Sequence, residues 1–264
     1  MNPLDYLKNY YSTHDEDSRL LSRHGSVEFL TTMRYIQKYL KKGDTVLEIG
    51  AGTGRYSHAI ASMGYSVDAV ELVPHNIELF KKNITPGEIV SITEGNATDL
   101  SAFADNTYDI TLLLGPMYHL FTKEEQKKAL SEAIRVTKEN GVIFAAYCNN
   151  DATIISFYFC KRGRCDEHYR NLIDPITFKA SSNPEEIFVL YRKEDVDELM
   201  TGFDVSRLHY VATDLATNFI RDTVDSMNDE EFEDYLNYHF AVCERADMVG
   251  ATHHMLDVFR KTNY

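Results

Sequence analysis

No run of apolar residues in this sequence reaches the ~18–20 positions a helix needs to cross a bilayer, so no membrane partner is expected. The first residues lack a charged segment followed by an apolar one, so no secretory leader is expected either. Cysteine is scarce. Cys148, Cys160, Cys165 and Cys243 are the whole set and none forms a CxxC pair, which excludes a disulfide framework and points to reduced thiols in the cytoplasm. Basic charge is also short: 27 Lys and Arg against 41 Asp and Glu leave a net charge of −14. Nucleic-acid binders neutralise phosphates with Lys and Arg, and no dense basic run is present, so no nucleic-acid partner is expected. Repeats and low-complexity tracts are missing. Metal-ligand spacing is missing too. Cys160, Cys165 and His168 lack a fourth ligand for a zinc site. His253 and His254 are expected on an edge strand, where adjacent side chains face opposite ways. No metal is expected.

What is present is a globular composition of 264 residues, 44% hydrophobic and 26% charged, enough for one large domain or a domain with an insertion. Met1–Leu40 reads as helical and amphipathic, with Phe29, Met33, Ile36 and Leu40 on one face. Strand and helix then alternate. Short apolar runs predict strands at Thr45–Ile49, Ser66–Glu71, Ile89–Thr93, Asp109–Leu114 and Val142–Tyr147. Helices are predicted at Arg55–Met63, Pro74–Asn83 and Glu124–Val136, the last ending at Asn140-Gly141. The rhythm fails over Asp151–Pro184, which is aromatic-rich and irregular. It resumes with a helix at Glu194–Met200, a strand at Val205–Thr213, a helical excursion over Asp214–Asp247 and a last strand at His253–Phe259.

Repeated βα units imply an α/β fold: a Rossmann-like, mostly parallel seven-stranded sheet with helices on both faces and helical lid insertions. The chain divides into a helical lid (1–42), a cofactor-binding core (43–150), an insertion over the site (151–184) and the C-terminal part of the core (185–264), which carries the helical insertion at about 214–247.

Glu48-Ile49-Gly50-Ala51-Gly52-Thr53-Gly54 closes the first strand and opens the first helix of that core. Its glycines let the chain turn sharply and let a ligand approach the free N–H groups of the helix start. The spacing is GxGxG, and Arg55 stands where a dinucleotide fingerprint has its third glycine. Glu48 would repel a pyrophosphate but suits a ligand carrying an ammonium group. Glu71 ends the second strand about 20 residues on, where a carboxylate can accept both hydroxyls of a ribose. An NAD-type oxidoreductase is disfavoured on these grounds.

The stretch Gly43–Asn150 resembles the class I S-adenosylmethionine-dependent methyltransferases, in particular those acting on small molecules. Val46 to Gly54 is similar to their first motif, Ala69-Val70-Glu71 to the ribose-binding strand end, Glu94 to Leu100 to the adenine-contacting segment, and Leu112 to Leu120 to the fourth-strand motif. Asn96 replaces the usual Asp. The resemblance implies S-adenosyl-L-methionine as cofactor, held by Glu48, Gly50, Ala51, Gly52, Gly54, Glu71, Leu72, Asn96, Ala97 and Leu114. It further implies an arginine from the N-terminal segment, Arg23 before Arg19, on the cofactor carboxylate, and Tyr10 and Tyr11 as lid residues, with Tyr11 touching the cofactor. His119 and Tyr118 lie just after the fourth strand and are the candidate catalytic pair, His119 as a proton acceptor. Phe157, Tyr158 and Phe159 read as packing or as an aromatic lid. Methyl transfer to a small-molecule acceptor is the expected function. A cofactor sensor without turnover and a methyltransferase acting on a protein are the alternatives. Oligomerisation is neither implied nor excluded.

Overall fold

A computed structural model describes residues 3–13, 22–160 and 167–262. Strands β1 (Thr45–Ile49), β2 (Ser66–Glu71), β3 (Ile89–Glu94), β4 (Tyr108–Leu113), β5 (Thr137–Asn149), β6 (Leu190–Tyr191), β7 (Val205–Ala212) and β8 (His254–Lys261) form one sheet. Seven follow the path β3-β2-β1-β4-β5-β8-β7, and the two-residue β6 pairs with the end of β5. β1 to β5 are mutually parallel, and β8 runs antiparallel to both β5 and β7.

The central strands are apolar on both faces because both are covered. Val46, Ile110, Leu112, Val142 and Phe144 face Ile36 of α2 (Arg23–Tyr39) and Ile60 of α3 (Arg55–Ser62). Leu47, Leu113, Ile143 and Ala145 face Leu130 and Ala133 of α5 (Lys123–Val136). Each fully buried Ile or Leu contributes about 1.5–3 kcal/mol of transfer free energy. α5 starts where Thr122 and Glu125 close a reciprocal capping box. The remaining principal helices are α1 (Pro3–Thr13), α4 (Pro74–Asn83), α6 (Lys193–Met200), α7 (Arg221–Ser226) and α8 (Asp229–Val242). No helix among the described residues is long and apolar enough to cross a membrane.

Three expectations need correction. β8 lies between β5 and β7, so His254 is on an interior strand rather than an edge. β5 begins at Thr137, and Asn140-Gly141 forms a kink inside it, with Asn140 at φ 62° and the register with β4 shifting there. Gly141 is required, since a Cβ would stand 2.9 Å from the Asp109 carbonyl oxygen. Finally, Ile154–Cys160 is not irregular but a wide, π-type helical segment.

Candidate active site

The chain leaves β1 toward β2 and β3 on one side, then returns to place β4 on the other. Such a switch point opens a crevice beyond the carboxyl ends of the two central strands. A cavity of about 450 Å³ occupies it, and its lining includes Glu48, Gly50, Ala51, Gly52, Glu71, Leu72, Asn96, Ala97, Leu114, Tyr118, His119 and Tyr11.

The β1–α3 turn forms the floor of this cavity. Gly50 (φ 76°) hydrogen-bonds its N–H to the Val70 carbonyl at 2.8 Å, and a Cβ there would come within 2.6 Å of Pro116 Cδ. Gly52 (φ 56°) meets the opposite condition: nothing lies within 4 Å of a Cβ built on it. Its bare backbone therefore borders open space that a ligand can fill. Glu71 Oε2 accepts from Gly52 N–H at 2.8 Å, while Oε1 accepts from Val73 N–H at 2.9 Å. Burial pushes the Glu71 pKa up, and those donors oppose it. Glu48 is 2% exposed and accepts a hydrogen bond from Ser57 Oγ. Burial raises its pKa to about 8 against that hydrogen bond. It is an acid kept neutral at pH 7 until a cation arrives.

Two expected contacts are not formed. Arg23 is absent from the cavity lining; it pairs with Asp229 at 2.6 Å and lies over Phe232, because α2 turns its first residue toward α8. Gly54 is the left-handed N-cap of α3 and faces inward, where a Cβ would strike His58 and Phe80. Its role is structural. Asn96 does border the cavity, but its Oδ1 already accepts from the Thr98 N–H and hydroxyl at 3.0 Å. Arg19 and the side chains of Cys160, Cys165 and His168 lie outside what is described.

Tyr11, Tyr118, His119 and Phe188 make an aromatic wall along the far side. His119 Nδ1 is 2.9 Å from the Ile187 carbonyl, which can only accept, so the proton sits on Nδ1. Nε2 is then the acceptor for the Tyr11 hydroxyl at 2.7 Å. Burial pushes this imidazole down to about 4 although the Ile187 carbonyl favours its charged form. His119 is thus a neutral, weakly basic ring with both nitrogens engaged. Tyr118 donates its hydroxyl to the Leu114 carbonyl at 2.9 Å. Both residues of the expected catalytic pair thus border the cavity with their polar atoms already hydrogen-bonded.

Behind the wall, and sharing Tyr11 and Tyr118 with it, is a second cavity of about 220 Å³. Glu28, Cys148, Asp214, Arg221 and His254 line it; none of them stands near the glycine turn in sequence, so no local motif marks them. Asp214 is buried, yet His254 and its other donors hold its carboxyl down at about 2. Burial alone would depress the His254 pKa; Glu28 and Asp214 outweigh it and hold the ring well above its ordinary value. His253 does face the other way, bonding Ser156 Oγ at 2.7 Å. Arg55, which also borders the main cavity, was signalled only by its place in the missing-glycine position; Phe29 lies under its guanidinium at 4.5 Å.

Comparison with known proteins agrees with the fold. Residues 47–145 match a family model described as a methyltransferase domain. Demethylmenaquinone methyltransferase of Paenarthrobacter aurescens (strain TC1) is 30% identical over 146 residues, 55% of this chain and 53% of that protein. Cypemycin N-terminal methyltransferase of a Streptomyces species is 32% identical over 103 residues, 39% of this chain and 41% of that protein. The chain thus spans about half the length, or less, of these curated relatives. Among solved structures, a S-adenosylmethionine-dependent methyltransferase from Methanosarcina mazei superposes with a TM-score of 0.58 at 17% identity, over 87% of this chain and 98% of that one. A protein from Pyrococcus horikoshii OT3 superposes with a TM-score of 0.64 at 16% identity, over 96% and 99%.

Proposed function

We propose that this chain, whose core is a class I S-adenosylmethionine-dependent methyltransferase domain, methylates a small-molecule acceptor held in the second cavity. The observation that carries the cofactor half is the bare Gly52 backbone between two buried carboxylates, Glu48 and Glu71, at the switch point of the sheet. A ligand with ammonium, ribose and adenine parts meets a complementary partner for each of the first two there.

Glu48 would take the amino group, ionising as it does so. Glu71 would accept the ribose hydroxyls, and Ala97 and Leu72 would flank the adenine. Arg55, steadied on Phe29, replaces Arg23 as the arginine for the carboxylate. When bound, the cofactor supplies a methyl group already activated on a sulfonium. What the protein adds is alignment and exclusion of water. Tyr11 and Tyr118 line both cavities, so the two adjoin at these rings, whose faces and hydroxyl oxygens suit a nearby cation. Tyr11 and His119 lock each other in place, and α1 is tied over the site by the Tyr6 hydroxyl, which donates to Glu185 at 2.7 Å. A small acceptor is favoured by the size of the second cavity and by the likeness to demethylmenaquinone methyltransferases. A cytoplasmic setting is part of the proposal; Cys148 and Cys243 are free thiols, as a reducing compartment leaves them.

The test is turnover: release of S-adenosylhomocysteine measured across a panel of phenols, quinols, amines, thiols and short peptides. Acceptor-dependent release with a small molecule is expected. Release only with folded protein substrates, or binding of cofactor with no release at all, contradicts the acceptor half.

A further inference from the structure

We infer that Glu28, Asp214 and His254 form a divalent-cation site on the wall of the second cavity. The three come from separate parts of the chain, namely α2, the segment after β7, and the first residue of β8, yet one donor atom from each lies within 4.8 Å of the others. His254 Nδ1 is 2.7 Å from Asp214 Oδ2 and 3.3 Å from Glu28 Oε2. Ligands at adjacent corners of a coordination sphere of radius about 2.1 Å stand about 3.0–3.4 Å apart. The His254–Glu28 edge already has that length, the His254–Asp214 edge needs a few tenths of an ångström, and the Glu28–Asp214 edge lies within 4.8 Å.

The donor set is two carboxylate oxygens and one imidazole nitrogen, which suits Zn²⁺ or Mn²⁺ and not a soft cation. The supporting shell is built. Asp214 Oδ1 accepts from the Thr252 hydroxyl and from His253 N–H at 2.7 Å, and Oδ2 accepts from Asn218 at 2.7 Å. Cys148 lines the same cavity beside this imidazole. Such partners fix ligand orientation ahead of binding. Charge points the same way. The Glu28 and Asp214 side chains are only 16% and 1% exposed, and a divalent ion would neutralise both. Arg221 lines the cavity too, and its Nε donates to Asn218 at 2.8 Å.

Three protein ligands leave coordination positions open toward the aromatic chamber, the arrangement of sites that bind substrate. The occupant would be an acceptor oxygen, as a phenolate, enolate or carboxylate; this half rests on the proposed methyltransferase reading, and the cation site does not.

The experiment is titration of the chelator-treated protein with Co²⁺, followed by its visible absorption, and with Zn²⁺ by calorimetry. One equivalent is expected to bind, with Glu28→Gln and His254→Gln each weakening binding at least about tenfold. S-adenosylhomocysteine affinity, measured on the same samples, is expected to be unchanged, which separates this site from the cofactor site. Glu28 is on a helix and partly exposed, so its variant keeps the fold even if changes at buried Asp214 do not. No saturable binding at millimolar metal, or binding that survives both substitutions, overturns the inference and leaves a protonated His254 bridging two carboxylates.

Discussion

At the residue scale the most informative group is Glu48. Its folded pKa of about 8 exceeds the ordinary carboxylate value, so the folded chain holds a proton that the unfolded chain loses. Stability therefore falls as pH rises from the carboxylate range toward 8, and Glu48→Gln should melt several degrees above wild type at pH 8.5. Calorimetric melting of the two proteins checks this; equal melting points would place the Glu48 pKa in the normal range. Cofactor binding should show the opposite face of the same proton. An ammonium ligand needs the carboxylate ionised, so S-adenosylmethionine affinity should rise nearly tenfold from pH 6 to 7 and level off toward pH 8, where Glu48 and the ligand's own amino group both titrate. In Glu48→Gln the slope should vanish along with most of the affinity. His119 has a different signature. Neutral down to about 4, it should leave kcat at saturating cofactor free of any inflection near pH 6.5. A clear inflection there that disappears in His119→Gln would restore it as the working base.

At the element scale, the C-terminal pair β7–β8 carries an ion pair whose carboxylate is buried. Arg207 grips Asp257 with Nε at 2.7 Å and a second nitrogen at 2.9 Å, and the Asp257 side chain is fully buried. Arg207→Met leaves that carboxylate unpaired and should cost about 3–5 kcal/mol. Urea unfolding checks it, and adding Asp257→Leu should recover most of the loss. The parallel strands were legible because burial on both faces makes each a compact apolar run, as in Thr45–Ile49 and Ser66–Glu71. β6 was not, since two residues carry no period. The kink at Asn140-Gly141 looks like an ordinary helix stop, and only pairing with β4 turns Thr137 into strand. The aromatic run at Ile154–Cys160 has neither a strand nor a helix period, which a wide helix leaves unmarked. The glycine turn and its carboxylates could be read locally because one βαβ unit builds them. Arg23 misled because a helix charge says nothing of which neighbour it will face, and Asp229 lies 206 residues away.

At the scale of the molecule, the sheet places two cavities side by side, one bordered by a bare glycine turn and the other by acids and a histidine, with aromatic rings between them. The methyltransferase reading of the chain depends on the first cavity taking an adenosyl ligand across Gly52. The direct measurement is calorimetric titration of S-adenosylmethionine into wild type and Gly52→Val. A valine at φ 56° is strained by about 1–2 kcal/mol and projects into the cavity. Wild type should bind one equivalent, and the variant should stay folded and bind at least about tenfold more weakly. Absence of wild-type binding at millimolar ligand, or equal affinity in the two proteins, would contradict the account.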